Sequence, residues 1–187
     1  MSGTHTQSLT GLSYWHRIAI IFLWRKSMPK LLILYYSRTG NTEKLAKEVA
    51  EGVKTGGVAV TLKMITEATP EEAVGYDGIV MGSPVYYGSM SAECKKFLDE
   101  SVRFHGKFKG KVGGAFATSG NLAGGNETTI MDILKAWLIH GMIVVGDHQG
   151  DHYGSVSVGA PDKRAIANAH RQGQIIAELI KKLAGEK

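Results

Sequence analysis

Five times between residues 31 and 184, a short apolar run is followed by a segment with helical spacing. No other feature constrains the fold as much. The runs are LLILYY (31–36), VAVTLKMI (58–65), GIVMGSP (78–84), KVGGAFATSG (111–120) and MIVVGD (142–147). Runs that are apolar on both alternating faces suit central strands covered on both sides, which points to a parallel sheet. The helical segments are 42–55, 91–102, 127–140 and 162–184, with at most a turn of helix in 66–77. In the first of them Leu45, Ala46, Val49, Ala50 and Val53 share one face, and Gly56-Gly57 follows as a stop. Residues 147–160 read as a glycine-rich loop. Strand–helix alternation with right-handed crossovers predicts an α/β doubly wound five-stranded sheet with helices on both faces.

At 187 residues and 43% hydrophobic, the chain can bury one core. The formal charge of +5 overstates its basic character. Residues 1–27 hold Arg17, Arg25 and Lys26 and no acid, so the rest carries 19 basic and 17 acidic residues. That near-balance gives no footprint for nucleic acid. The lone Cys94 excludes an internal disulfide and suits a reducing, cytoplasmic compartment, and no His pair stands beside it at metal-ligand spacing. The apolar stretch IAIIFLW (18–24) is too short to span a bilayer, so no integral membrane segment is expected. Residues 1–27 are read as an N-terminal extension, a non-native start or disordered arm ahead of Met28, and 28–187 as the domain.

Ligands of doubly wound sheets bind beyond the carboxyl ends of the strands. Three loops leave those ends. Ser37-Arg38-Thr39-Gly40-Asn41-Thr42 separates a buried strand from a helix N-terminus, offering hydroxyls, free N–H groups and a close backbone approach to an anion. It lacks the lysine of a nucleoside-triphosphate loop and the three glycines of a dinucleotide fingerprint, which leaves a terminal phosphate monoester. Pro84-Val85-Tyr86-Tyr87 offers aromatic rings, and Thr118-Ser119-Gly120-Asn121-Leu122-Ala123-Gly124 offers a row of backbone N–H groups. A flat heteroaromatic ring with polar edges fits between them.

YYSRTGNTEKLA (35–46), GSPVYYGSMSAECKKFLD (82–99) and TSGNLAGGNETT (118–129) with LIHGM (138–142) resemble the flavodoxin-like FMN proteins. Within them they look like the WrbA-type NAD(P)H:quinone oxidoreductases. The resemblance covers about residues 29–184. It implies sheet order 2-1-3-4-5, FMN as cofactor, NADH or NADPH as co-substrate, a quinone as acceptor, and a homodimer or homotetramer. It places the phosphate on 37–42, the ring beside Pro84, Val85, Tyr86 and Tyr87, the pyrimidine edge on Thr118–Gly124, and Tyr153 near the flavin. It also implies a catalytic role for His140, for which a plain helix-terminus histidine is the alternative. A rival reading is a flavodoxin-type electron carrier, though such carriers are typically strongly acidic. Cys94, at helical spacing from Phe97 and Leu98, reads as a packing residue.

Overall fold

The computed structural model describes residues 28–185, so the expectations for residues 1–27 lie outside the described residues. The elements in chain order are β1 (Lys30–Tyr35), α1 (Asn41–Thr55), β2 (Ala59–Met64), α2 (Pro70–Ala73), β3 (Gly78–Pro84), α3 (Ala92–Ser101), β4 (Val112–Ser119), α4 (Asn126–Ile139), β5 (Ile143–Val144), β6 (Val156–Val158) and α5 (Lys163–Leu183). The sheet is parallel with order β2-β1-β3-β4-β5, as the resemblance implies.

Two apolar layers flank the sheet. Leu31, Ile33, Val80 and Phe116 pack against α1 and α5, on which Leu45, Val49, Val53, Ile176 and Ile180 are buried. Leu32, Leu34, Ile79, Met81 and Ala115 pack on the other face against α3 and α4, including Phe97, Ile130, Ile133 and Trp137. The fully buried β4, eight residues without one exposed, shows why the central strands read as continuous apolar runs.

The fifth row differs from expectation. The run 142–147 yields only a two-residue strand, β5, paired with Val112 and Gly113. The carboxyl half of β4 pairs instead with β6, where Val156, Ser157 and Val158 lie beside Ala117, Thr118 and Ser119. Residues 145–155 leave the sheet between them. Side chains hold this excursion: Arg171 pairs with Asp147 at 2.5 Å and Arg164 with Asp151 at 2.6 Å. The Asp147 carboxyl falls to about 2 through its bond with Arg171. Asp151 also accepts from Val156 N–H, and Gln172 reaches both Ser155 and the Ala115 carbonyl. These polar ties, 5 to 57 residues apart in sequence, leave no mark in a hydrophobic pattern.

Candidate functional site

The helix starts at the carboxyl end of the sheet are of two kinds. α2, α3 and α5 begin on Thr69, Ser91 and Asp162, whose side chains accept from N–H groups of the first turn. α1 and α4 do not. Their N-caps are Gly40 (φ 88°) and Gly125 (φ 100°), both left-handed, and neither helix has a side-chain cap. Both helices leave the carboxyl ends of β1 and β4. The first-turn N–H groups of an α-helix have no partner inside it. Here no side chain takes their place, so two positive helix ends stand open where the three loops meet.

Ser37 Oγ accepts from Gly40 N–H at 3.0 Å and shapes the first loop. Arg38 and Thr39 are exposed, and Asn41 is half-buried. Thr42 is buried, and its hydroxyl lies 2.8 Å from that of Thr118, a bond joining the first loop to the third. The Arg38 guanidinium carbon sits 5.6 Å above the Tyr86 ring. The sequence did not reveal either contact.

The second loop is a tight hairpin. Tyr86 and Ser89 exchange backbone bonds of 2.9 and 3.1 Å around Tyr87 (φ 51°) and Gly88 (φ 79°). Two central residues of positive φ match a type I′ turn. Tyr87 carries the strain of a non-glycine residue in that region and is fully exposed. Val85 N–H donates to the Thr118 carbonyl at 2.8 Å, tying the second loop to the third.

In the third loop, the N–H groups of Gly120, Asn121, Leu122 and Ala123 enter no hydrogen bond among the described residues. Ser119 Oγ donates to Asn121 O and accepts from Asn126 Nδ2, which fixes the turn. Gly124 N–H closes it on Asn121 O. Asn126 Oδ1 and Thr129 Oγ1, at the buried start of α4, have no partner among the described residues. Leu122 is almost fully exposed, and Tyr153 is half exposed on the 145–155 excursion.

α4 also holds the hairpin. Thr128 Oγ1 donates to the Gly88 carbonyl at 2.6 Å, and Ser89 Oγ donates to Asp132 at 2.6 Å. The Asp132 carboxyl lies below its usual range because Lys135 and Ser89 both bond to it. Neither Thr128 nor Asp132 was identified from the sequence. A signal was present in the polar positions of an otherwise apolar helix, but their partners lie 40 and 43 residues away.

Open amide rows, an uncapped helix start, hydroxyls and aromatic rings fit a phosphate-bearing flat heterocycle such as FMN. They join Ser37–Thr42, Pro84–Tyr87 and Thr118–Gly124 at one end of the sheet.

His140 is not part of that group within the chain. α4 runs away from the loops for 14 residues, about 21 Å, and His140 follows its last turn. It is 7% exposed, edge-on to Phe108 with ring centres 4.9 Å apart, and Nε2 is 2.8 Å from Ser101 Oγ. Ser101 donates its own proton to the Leu98 carbonyl, so it accepts from Nε2–H. Nδ1 is then a buried acceptor without a partner among the described residues. Burial, with a smaller effect from His105, lowers the His140 pKa. The helix dipole alone would raise it, so desolvation wins here. A histidine held neutral in the fold but protonated in the unfolded chain stabilises less as pH falls below about 6.5. Thermal melts should therefore show the parent losing stability below pH 6.5 faster than His140→Gln. Parallel curves for the two proteins would remove this role.

Cys94 is fully buried on α3, behind β3, with Sγ 3.7 Å from the Gly82 carbonyl. Burial pushes its thiol up to about 11, so it is a poor nucleophile near neutral pH. Cys94→Ala should leave the activity of the site nearly unchanged, because the change removes only packing. Lost turnover with flavin retained would refute this.

Residues 63–150 match the family model described as NADPH-dependent FMN reductase. An NAD(P)H dehydrogenase (quinone) of Archaeoglobus fulgidus is 34% identical over 83% of this chain and 100% of its own length. One from Azorhizobium caulinodans is 32% identical over 84% and 100%. A flavodoxin of Aquifex aeolicus is 39% identical over 82% of this chain and 88% of its own. Among solved structures, a flavodoxin, WrbA-like protein from Agrobacterium tumefaciens superposes with TM-score 0.70 at 26% identity, covering 82% of this chain and 98% of that one. Identity above 30% over more than four fifths of this chain and the whole of those relatives agrees with the site's architecture, and the chain belongs to the flavodoxin-like NAD(P)H dehydrogenase (quinone) family of WrbA type.

Proposed function

We propose that this protein is an FMN-dependent enzyme that passes two electrons from NADH or NADPH to a quinone. The observation that carries the reading is the pair of uncapped helix starts, α1 and α4, flanking loops with unpaired amides and exposed tyrosines. When bound, FMN supplies the group that accepts hydride from the nicotinamide and returns it to the quinone. The residues supply placement. The α1 start with Ser37, Thr39, Asn41 and Thr42 holds the phosphate by N–H and hydroxyl donors. Tyr86 and Tyr87 border the ring on a hairpin that Thr128 and Asp132 keep in position. The N–H groups of Gly120–Ala123 face the polar edge of the ring and favour negative charge there. His140 lies at the far end of α4 from these loops, and its part in the reaction is read as one played across a subunit boundary.

A homodimer or homotetramer is part of the reading. Val102, Leu138 and Ile139 are 67, 56 and 74% exposed at the pole opposite the site, and such side chains suit a covered face. No described helix is long and apolar enough to cross a membrane, and with the single cysteine this supports a cytoplasmic enzyme.

The electron-carrier reading has the Aquifex flavodoxin in its favour. The nearly balanced charge of residues 28–187 opposes it. The deciding experiment follows NAD(P)H oxidation by the FMN-loaded protein with benzoquinone. Rapid, saturable turnover supports the enzyme, while reduction only by a partner reductase would select the carrier.

The clasp on the hairpin makes its own prediction. Thr128→Val removes the donor to Gly88 O, and losing this exposed bond costs about 0.5–1.5 kcal/mol. The flavin reduction potential and the KM for quinone should both change, with the melting temperature falling by a few degrees. A lower melting temperature alone would make Thr128 merely structural.

A further inference from the structure

The first turn of α4 faces two ways. Thr128 bonds the hairpin, while Glu127 and Ile130 line a cavity of about 190 Å³ closed on its other side by the 150–154 turn and Val156. Whole-ligand pockets usually start near 300 Å³, so this space suits one nucleoside and not a dinucleotide. Its floor is apolar, with Ile130 fully buried. Tyr153 offers a half-exposed ring at its rim. His152 donates Nδ1–H to the Asp147 carbonyl at 2.7 Å, which leaves Nε2 of the neutral ring as an acceptor.

The cavity lies about one helix width, ~10 Å, from the flavin-facing hairpin. Gly125, two residues before Glu127, comes close to Gly88, and the fit is so tight that a methyl group there would lie 2.8 Å from the Gly88 Cα. A molecule with one end on the ring could therefore place its other end here.

The charges are one-sided. Asp151 is already occupied by Arg164 and by Val156 N–H, and Arg164 also donates to the Val156 carbonyl. Arg171 is committed to Asp147. No Lys or Arg lines the cavity, and exposed Glu127 enters no ion pair among the described residues. The free carboxylate can accept from ribose hydroxyls and repels a phosphate placed on them.

We propose that this cavity takes the adenosine half of the nicotinamide dinucleotide and that Glu127 makes the protein select NADH over NADPH. Tyr153 stacks on the base, and Glu127 with His152 bonds the ribose diol. The proposal rests on the quinone-reductase reading for its place in the reaction. Two measurements on the FMN-loaded protein keep the failures apart. Steady-state kcat/KM is compared for NADH and NADPH, and calorimetry compares ADP-ribose with its 2′-phosphorylated form. The expected result is at least about tenfold preference for the unphosphorylated member in both assays, with ADP-ribose competing against NADH. Glu127→Lys should cut that preference by at least about tenfold, and Glu127→Gln should move it partway. Equal or reversed preference in the parent, an unchanged ratio in Glu127→Lys, or no binding of millimolar ADP-ribose would overturn the proposal. No turnover with either dinucleotide would overturn the enzymatic reading, while the calorimetric ratios would still decide the cavity's ligand.

Discussion

A Thr39→Val/Thr42→Val chain should fold but bind FMN more than about tenfold less tightly than its parent. Thr39 is exposed on the first loop, and Thr42 opens α1 behind it. A hydrogen bond to a charged group contributes roughly 1.5–3 kcal/mol, so losing even one exceeds the 1.4 kcal/mol that corresponds to tenfold. The variant also breaks the Thr42–Thr118 bond, which is buried and 2.8 Å long. Thr118→Val breaks that bond while leaving the phosphate donors intact. Fluorescence titration with FMN should thus show a much smaller loss in Thr118→Val than in the double variant. Equal losses would mean that the loop-to-loop bond matters and the phosphate assignment does not. An unchanged affinity in a folded double variant would remove the first loop from the site.

Gly125→Ala should disable the site by a different route. Gly125 has φ 100°, where a side chain costs on the order of 1–3 kcal/mol. Its new Cβ would also lie 2.8 Å from Gly88 Cα and 3.1 Å from Val85 Cγ1, contacts with the second loop that cannot be relieved by turning a long side chain. The hairpin and the third loop must separate, and on the proposed reading the ring lies where they meet. FMN affinity should fall more than about tenfold, with a loss of stability of about 1–3 kcal/mol in denaturant melts. Gly110→Ala is the control, since Gly110 has φ 80° with open space around it. It should show the backbone cost without the flavin defect. FMN binding retained in Gly125→Ala would show that the two loops need not touch.

Strand and helix positions were legible because they depend on neighbours in sequence. Every residue named for the buried face of α1 is buried, and β3 spans the expected 78–84. A central strand covered on both sides must be apolar at successive positions, and a surface helix must repeat every 3.6 residues, so burial writes itself into the pattern. The loops were legible for a related reason. Gly, Ser, Thr and Asn at the ends of apolar runs are chemically distinctive and occupy few positions. The sequence therefore determined the doubly wound sheet and the three loops at its carboxyl end, which on the proposed reading hold the FMN.

The tertiary structure decided what depends on pairs distant in sequence. The run 142–147 has the composition of a strand, yet β4 gives its carboxyl half to β6, because ties from Arg164, Arg171 and Gln172 hold the intervening residues away from the sheet. Hydrophobicity cannot show which of two segments will win a shared edge. His140 adjoins a glycine at a helix end, a setting equally consistent with a site or a cap. Its position relative to the flavin loops followed only from the direction and length of α4, and its neutral state from burial against Phe108 and Ser101. Glu127 borders a cavity only because the excursion 145–155 folds across from it.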